Sequence, residues 1–199
     1  MKKSIVSIML STVASFALTV NPIPIKISKD YKYAEFHLGD DTSKYQVFVK
    51  RWIQKDGKDI LKDTKNIFVF PKVFQAPKTI KIFVKKKNPN KEIAYRLIFK
   101  ELKIKKQQEE QTNKAMVLKT LSIPLFVKPS KEKPNLKIEC KDNSIKIENK
   151  GNVHIKVLSI NNKKSMFYIL PYQLREVKNV DTEGFIKTED GKYTYKCKE

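Results

Sequence analysis

The sequence predicts an all-β protein of two immunoglobulin-like sandwiches set at an angle, the second of them small. Almost every apolar run after residue 20 is short, rich in Ile, Val, Phe and Tyr, and bounded by Lys, Asn, Asp, Gly or Pro, which is typical of β-strands. Turn residues recur roughly every 8 to 14 positions, as expected of such sandwiches. A charged segment with two prolines near residue 130 separates the two series of strands.

The N-terminus predicts a cleaved secretory signal over residues 1–17. Lys2 and Lys3 precede a largely apolar run, and Ser15 and Ala17 have the spacing that a signal peptidase accepts. An uncleaved membrane anchor is the alternative. No later stretch reaches about 20 uncharged apolar residues, so we expect no membrane span after cleavage and an exported protein.

The individual strands are predicted from period-two patterns. Apolar and polar residues alternate at 45–50, 80–85 and 145–148, and this period belongs to strands with one buried face. Between the first strand and the next, Asp56 and Gly57 form the dipeptide that a tight hairpin turn prefers. Six further runs after residue 135 predict the strands of the second sandwich, at 136–140, 144–148, 153–160, 166–170, 174–177 and 193–197.

The best domain boundary lies at the segment from Lys128 to Pro134. Its two prolines, Pro129 and Pro134, stand among charged residues after one strand and before another, which indicates a short stiff linker. We therefore expect a first domain over 18–128, a linker over 129–134 and a second domain over 135–199. The polar segment 103–114 predicts a loop between two strands of the first domain.

The strong positive charge does not by itself predict nucleic-acid binding. The formal net charge is +21, yet only Arg51, Arg96 and Arg175 are arginines, and planar guanidinium groups are what base and phosphate recognition favours. The lysines are spread over the whole chain. An exported adhesin-like or polyanion-binding surface module that uses this lysine-rich surface remains the alternative function.

The sequence offers no arrangement that predicts catalysis, a cofactor or a metal. The two histidines, His37 and His154, have no neighbouring Ser, Cys or carboxylate pattern of a triad or a metal site. The five glycines are isolated, so no phosphate-binding loop is expected. An exported hydrolase would have to depend on one of the two histidines. We therefore expect a protein that is not an enzyme.

The two cysteines lie in the first and the last apolar run of the second domain. A disulfide between Cys140 and Cys197 is compatible with export. Two free thiols are the alternative, because a disulfide needs Cα atoms within about 7 Å.

Several segments, in order along the chain, resemble the periplasmic chaperones of chaperone–usher pilus assembly, the PapD-like family. They are the strand, tryptophan and turn at 45–61, the proline-containing 70–74, the strand at 92–101, the segment Ile123-Pro124-Leu125-Phe126-Val127-Lys128-Pro129, and 149–154. The small second domain and the 123–127 segment are similar to the archaic branch. The resemblance implies an ATP-independent chaperone of the Gram-negative-type periplasm, which binds pilus or fimbrial subunits and delivers them to an outer-membrane usher. It also allows a self-capping dimer.

The resemblance implies donor-strand complementation, in which the chaperone lends its last strand to a subunit sandwich that lacks one. On this chain the strand would be Ala115–Leu125. One phase supplies the expected subunit-binding residues, Ala115, Val117, Leu121 and Ile123, and the other supplies a second choice, Met116 and Leu118. Since a shift of one residue exchanges the faces, these side chains could instead belong to the core of the first domain.

Further roles follow from the same resemblance. The best-known branch binds the terminal carboxylate of the subunit with two basic residues, but Pro24 and Pro124 occupy those positions here. Arg96 is the leading candidate for the anchor and Lys119 the second. Pro71 resembles the loop proline that contacts the usher, although Lys72 replaces a second proline. Glu92, Lys128 and Asp190 resemble an interdomain ion-pair network.

Overall fold

The computed structural model describes residues 19–28, 33–39, 43–85, 89–102, 118–141 and 143–197. Every regular element in these ranges is a β-strand, and the strands form two sandwiches, which confirms the predicted fold class. Within the same ranges, no helix is long and apolar enough to cross a membrane. The predicted signal at 1–17 lies outside the described residues.

The first sandwich is built from ten strands. They are β1 (Thr19–Asn21), β2 (Ile25–Ile27), β3 (Tyr33–Gly39), β4 (Lys44–Lys55), β5 (Lys58–Asp63), β6 (Ile67–Phe70), β7 (Val73–Gln75), β8 (Lys78–Val84), β9 (Ile93–Leu102) and β10 (Thr120–Val127). One sheet has the order β1-β3-β8-β6, and the other has the order β2-β10-β9-β4-β5, with β7 also paired to β4.

The chain changes sheet seven times along the ten strands of the first sandwich, and several of these crossings contain prolines. Two of them lead from β1 in the four-stranded sheet to β2 in the six-stranded sheet and from β6 to β7. Pro22 and Pro24 lie in the first of these two crossings and Pro71 in the second, each after a cis peptide bond. Proline suits these positions because it has no backbone N–H to contribute to a ladder.

The core of the first sandwich lies between its two sheets. Alternate residues of the strands point inward, as in Ile80 and Ile82 of β8 or Leu97 and Phe99 of β9, all of which are fully buried. Tyr45 of β4 belongs to the same cluster. This is the period-two burial that the sequence predicts.

The second sandwich has seven strands of five to seven residues. They are β11 (Leu136–Lys141), β12 (Ser144–Asn149), β13 (Ile155–Ile160), β14 (Lys163–Ile169), β15 (Leu174–Lys178), β16 (Glu183–Thr188) and β17 (Lys192–Lys196). Its sheets have the orders β11-β12-β15 and β14-β13-β16-β17. Cys140 of β11 and Cys197 after β17 form a disulfide, which ties the last strand of one sheet to the first strand of the other.

The sequence predicts the turn between β4 and β5 but not the strand β16. The predicted hairpin turn at Asp56 and Gly57 has φ values of 52° and 71°, the left-handed conformation that both central residues of a type I′ turn require. By contrast, β16 was not predicted. Gly184 interrupts its apolar pattern, and that glycine lies against Asn161, whose side chain occupies the place of a Cβ atom.

Candidate functional site: an open strand edge beside an interdomain cluster

The last strand of the first sandwich, β10, has one edge that is only partly covered. On one side it pairs with β9 along its whole length, from Thr120 to Val127. On the other side it pairs with β2 only at Leu125–Val127. The stretch from Thr120 to Pro124 therefore has no strand partner on this edge among the described residues, and such an edge is a template for another strand.

The backbone hydrogen bonds show which groups face this open edge. The N–H of Lys128 donates to Ile27 O of β2 at 2.8 Å, whereas Lys119 O accepts from Glu101 N on the β9 side at 3.0 Å. Successive residues of a strand direct their backbone N–H and C=O groups to opposite edges. The backbone N–H and C=O groups of Thr120 and Ser122 therefore face the open edge. Pro124 is on the same side and has no N–H, as is usual for proline in an edge strand.

The burial of the side chains shows that the odd-numbered residues of β10 face the core of the first sandwich. Ile123, Leu125 and Val127 are buried in it, and Leu121 packs half-buried against it. Ile123, one of the four expected subunit-binding residues, is only 1% exposed, so in this conformation it serves the chain's own core. Leu118 is exposed, whereas the expected residues Ala115, Met116 and Val117 lie outside the described residues.

The covered end of β10 enters an aromatic cluster between the two sandwiches. Phe126 of β10 packs with Trp52 of β4 and with Leu170 and Tyr168 of the second sandwich. The Trp52 and Tyr168 rings meet edge to face with centroids 5.6 Å apart, and the His154 ring stacks on Phe126 at 3.8 Å. Offset and edge-to-face aromatic contacts add to the free energy of apolar burial.

A buried carboxylate adjoins this cluster. The side chain of Glu92 is fully buried, and its Oε1 accepts hydrogen bonds from the backbone N–H of His154 at 3.0 Å and from His154 Nδ1 at 2.7 Å. Its Oε2 lies 3.7 Å from Lys128 Nζ. Since a carboxylate is costly to bury without partners, these contacts fix how the end of β10 meets the second sandwich.

The sequence predicts an interdomain ion-pair network of Glu92, Lys128 and Asp190, and the structure differs from it in the third residue. Glu92 and Lys128 are in contact, but Asp190 makes no ion pair with either in the part of the chain that the structure describes, and its N–H instead contacts Thr188 Oγ1. His154 takes the third place. The sequence interpretation treated His154 as a lone histidine, because its partner Glu92 is distant along the chain.

Two side-chain amides also join the sandwiches. Gln54 of β4 accepts from Leu170 N at 2.8 Å and donates to Tyr168 O at 2.9 Å. Asn152, buried at the other side of the interface, donates to Lys131 O at 2.8 Å and to Asn90 O at 3.2 Å. Each amide satisfies backbone groups that the contact between the domains would otherwise bury without a partner.

Arg96 lies on β9, the strand that covers the other edge of β10, level with the base of the open stretch. It is the cross-strand partner of Pro124, and its guanidinium carbon lies 3.8 Å from the centroid of the Trp52 ring. Burial lowers the pKa of Arg96, while Asp59 and Tyr168 act in the opposite direction. The group remains a cation, because arginine is not deprotonated in proteins. Arg96 is thus a half-buried cation held over an aromatic face.

Lys119, the second candidate for the carboxylate anchor, and Pro71, the candidate for usher contact, lie away from Arg96. Lys119 is exposed at the far end of the open stretch, where its N–H donates to Glu101 Oε2 at 2.8 Å. Five residues of strand separate it from Pro124, or about 16 Å, so Lys119 and Arg96 are alternatives and not a pair. Pro71 lies at the crossing from β6 to β7, next to Phe70, which is 69% exposed.

The first domain of this two-sandwich protein ends in a strand with an uncovered edge, next to a buried interdomain cluster. This is the architecture of a strand-donating assembly chaperone. The sequence matches the family described as "Pili and flagellar-assembly chaperone, PapD N-terminal domain" over residues 17–133. The chain therefore belongs to this family of pilus-assembly chaperones.

Solved structures share the fold of the whole chain. A chain of the CsuC–CsuE chaperone–tip adhesion subunit complex, from archaic chaperone–usher Csu pili of Acinetobacter baumannii, has a TM-score of 0.68 at 18% identity and covers 92% of this chain and 100% of its own. The Salmonella enterica SafA pilin–SafB chaperone complex gives 0.67 at 15% identity, covering 90% and 96%. The E. coli chaperone DraB gives 0.65 at 15%, covering 91% and 98%. A search of the curated proteins finds no match.

Proposed function

We propose that the chain is a periplasmic chaperone that binds pilus subunits through the open edge of β10 and passes them to an outer-membrane usher. The observation that carries the proposal is the uncovered stretch Thr120–Pro124, on a strand that is otherwise fully paired and anchored. Family membership supports the subunit as the partner. The assignment to the archaic branch and the division into domains at 128 and 135 are parts of the same proposal.

The driving force would come from sheet formation and apolar burial. A subunit strand that pairs with β10 would satisfy the outward N–H and C=O groups of Thr120 and Ser122. Leu121 and the residues before it, including Val117 and Ala115, would fill the open groove of the subunit. Because burial of apolar surface supplies free energy at about 25 cal/mol per Å², no nucleotide is needed.

Arg96 is the residue that we propose for binding the terminal carboxylate of the subunit. It is a cation on β9, level with Pro124 at the base of the open stretch. The end of a subunit strand that pairs along the open edge would pass over the outer face of β10 to meet the guanidinium, which lies over Trp52 of β4. The contact of Arg96 with Trp52 orients its planar group, and an oriented guanidinium can bind a carboxylate through two hydrogen bonds. Lys119 remains the second candidate, at the other end.

Pro71 and its neighbour Phe70 form the surface that we propose for usher contact. Phe70 is strongly exposed at the sheet crossing, and the backbone of the adjoining Lys72 is fixed, because its C=O accepts from Val47 N at 2.8 Å. The uncovered β10 edge would also allow two free chaperones to cap one another, because an unpaired edge pairs readily with a second copy.

The test is purification of the tagged chain from the periplasm, followed by identification of what accompanies it. We expect a stoichiometric small β-sandwich subunit that stays bound in high salt. The subunit should be lost when Val117 and Leu121 are both replaced by Asp, because charged side chains cannot enter an apolar groove.

The matched control is Leu61→Asp, since Leu61 is an exposed leucine on β5, at the opposite edge of the same sheet. It should leave the complex intact. Recovery of polyanions alone, unaffected by either change, would contradict the proposal and favour the lysine-rich surface as the binding site.

A further inference from the structure

The linker between the sandwiches, with Asn135 that follows it, is held against the second sandwich by hydrogen bonds. Lys133 N donates to Asn152 Oδ1 at 2.7 Å, and Asn152 N donates to Lys133 O at 3.1 Å. Asn135 O accepts from the N–H groups of Lys150 and Gly151 at 2.8 and 3.2 Å. This contact needs a glycine, because a Cβ atom on Gly151 would lie 2.5 Å from Lys133 O. The backbone of the linker is therefore fixed in place.

A cavity of about 490 Å³ lies beside this fixed backbone, and we call it the linker cavity. Both sandwiches contribute to it, with Asn90 from the segment before β9, Lys131 and Lys133 from the linker, and Lys150 and Tyr172 from the second sandwich. Sites for small molecules measure about 300 to 1,000 Å³, so the linker cavity is large enough for one. Among the described residues that line it, none belongs to β10. It is therefore separate from the open strand edge.

The linker cavity is positively charged. Three lysines line it, and no carboxylate does so among the described residues. Glu132, between Lys131 and Lys133, is engaged in an ion pair outside the cavity at 2.7 Å, and neither of these two lysines forms an ion pair within the described ranges. Lys150 Nζ lies 3.8 Å from the half-exposed Glu148. The cavity therefore favours an occupant with negative charge.

Two side-chain amides at the cavity are available for hydrogen bonds with a ligand. The amides of Asn90 and Asn135 bond to no other residue in the part of the chain that the structure describes. By contrast, the amide of the buried Asn152 makes three bonds to backbone groups. A carboxamide offers both a donor and an acceptor. The two available amides therefore suit a ligand with hydroxyl groups.

An exposed tyrosine completes the lining of the cavity. Tyr172 is 57% exposed, and its φ of 61° lies in the left-handed region, which is uncommon for residues other than glycine. Such strain is kept where the position of a side chain matters. Lys91 Nζ lies 5.5 Å from the centroid of the Tyr172 ring. The ring thus presents an apolar face beside a further cation.

We propose that the linker cavity binds an anionic sugar of one or two rings, which carries a carboxylate or a phosphate. Lys131, Lys133 and Lys150 bind the anionic group through charge-assisted hydrogen bonds. The Tyr172 ring packs against the apolar face of a sugar ring, and the available amides bond to the sugar hydroxyls. A simple anion would use the lysines but neither the ring nor the amides. This binding does not depend on strand addition at β10.

The experiment is isothermal titration calorimetry of the exported protein with two matched pairs of sugars. The disaccharide N-acetylglucosaminyl-N-acetylmuramic acid is compared with diacetylchitobiose, which lacks the lactyl group and its carboxylate. In the second pair, α-glucosyl phosphate is compared with methyl α-glucoside. We expect an anionic sugar to bind roughly tenfold more tightly than its neutral partner. The pair that shows this difference identifies the anionic group as a carboxylate or a phosphate.

Two variants test the residues assigned to the site. Lys131→Gln/Lys133→Gln should weaken the binding of the anionic sugar roughly tenfold and that of its neutral partner very little. Tyr172→Asn removes the ring but suits the left-handed backbone. It should weaken binding roughly fivefold without lowering the melting temperature of the free protein. The control Lys163→Gln/Lys187→Gln removes two exposed lysines elsewhere on the second sandwich and should bind as the unaltered protein does.

Several results would overturn the proposal. They are the absence of binding by either anionic sugar, equal binding of both members of each pair, and losses in the control variant equal to those in the other two. Binding of inorganic phosphate or lactate as tight as that of the sugars would also overturn it, because it would leave a simple anion site. Subunit co-purification, measured on the same variants, should be unchanged, since the cavity shares no described residue with β10.

Discussion

The two ends of β10 have opposite surroundings although they belong to one strand. At Leu125–Val127 the strand is paired on both edges, its odd side chains are in the core of the first sandwich, and Phe126 is buried against the second. At Thr120–Ser122 one edge is uncovered and the side chains are exposed or half-buried. The strand is therefore fixed at one end and free to pair at the other.

The difference indicates why the contact between the sandwiches matters to a strand donor. Strand addition aligns backbone groups over several residues, so the lending strand must be held in place before its partner arrives. Phe126, Glu92 and Lys128 hold the covered end. The open end can then keep its edge uncovered without losing its position.

The largest predicted effect is on the covered end. Phe126→Ala should lower the free energy of unfolding by about 4 kcal/mol, because it leaves a cavity among Trp52, Tyr168 and His154. Urea unfolding followed by the fluorescence of Trp52, the single tryptophan, measures this loss. Leu121→Ala, at the open end, should cost about 1 kcal/mol or less, because Leu121 is only half-buried. Equal losses at the two positions would remove the contrast between the ends.

The next effect concerns the buried carboxylate. Glu92→Ala should destabilise the protein by about 3 kcal/mol, because it leaves Lys128 and His154 without their shared partner at a buried site. The matched control is Glu132→Ala, which removes the second carboxylate of Lys128, 2.7 Å away and half exposed. That change should lower the free energy of unfolding by less than about 1 kcal/mol, as measured by urea unfolding. A larger loss would mean that Lys128 stabilises the protein through Glu132 and not through Glu92.

A smaller effect, on binding and not on stability, is expected at Arg96. Arg96→Gln should weaken subunit binding by about 2 kcal/mol, since it removes a charge-assisted pair with the terminal carboxylate. Isothermal titration calorimetry with the unmodified subunit, and with a subunit whose terminal carboxylate is amidated, measures the coupling free energy between the Arg96 guanidinium and that carboxylate. Arg175→Gln, on the second sandwich, is the control. Weakening that persists in full with the amidated subunit would show that Arg96 acts elsewhere.

The smallest effect sharpens the assignment of the edge itself. Ser122→Pro removes one N–H that faces the open edge and leaves the hydrogen bonds to β9 in place. Subunit binding should weaken by about 1 kcal/mol, or roughly fivefold. Ile123→Pro removes an N–H that faces β9 and should instead lower the melting temperature of the free protein. The reverse pattern, measured by titration and calorimetry, would mean that the opposite backbone groups face the subunit.

The sequence allowed the fold class, the hairpin turn at Asp56–Gly57 and the family resemblance to be predicted, because strand periodicity and turn residues are local signals. The sequence favoured the phase of Leu121 and Ile123 for subunit binding but did not exclude the phase of Met116 and Leu118, because both phases are apolar before residue 119 and a one-residue shift exchanges them. The position of Ile123 in the core follows from pairing with β9. His154 and Phe126 were missed for a related reason, because their partners Glu92 and Trp52 come from distant strands.

Hydrogen exchange at the amides of Thr120 and Ser122 tests the central claim most directly. It should be measured by mass spectrometry on the free chain and on its complex with the pilus subunit that co-purifies with it. The account predicts rapid exchange in the free protein and strong protection in the complex, with little change at Phe126, which is already covered. A stable complex in which the exchange of Thr120 and Ser122 is unchanged would contradict strand addition at this edge.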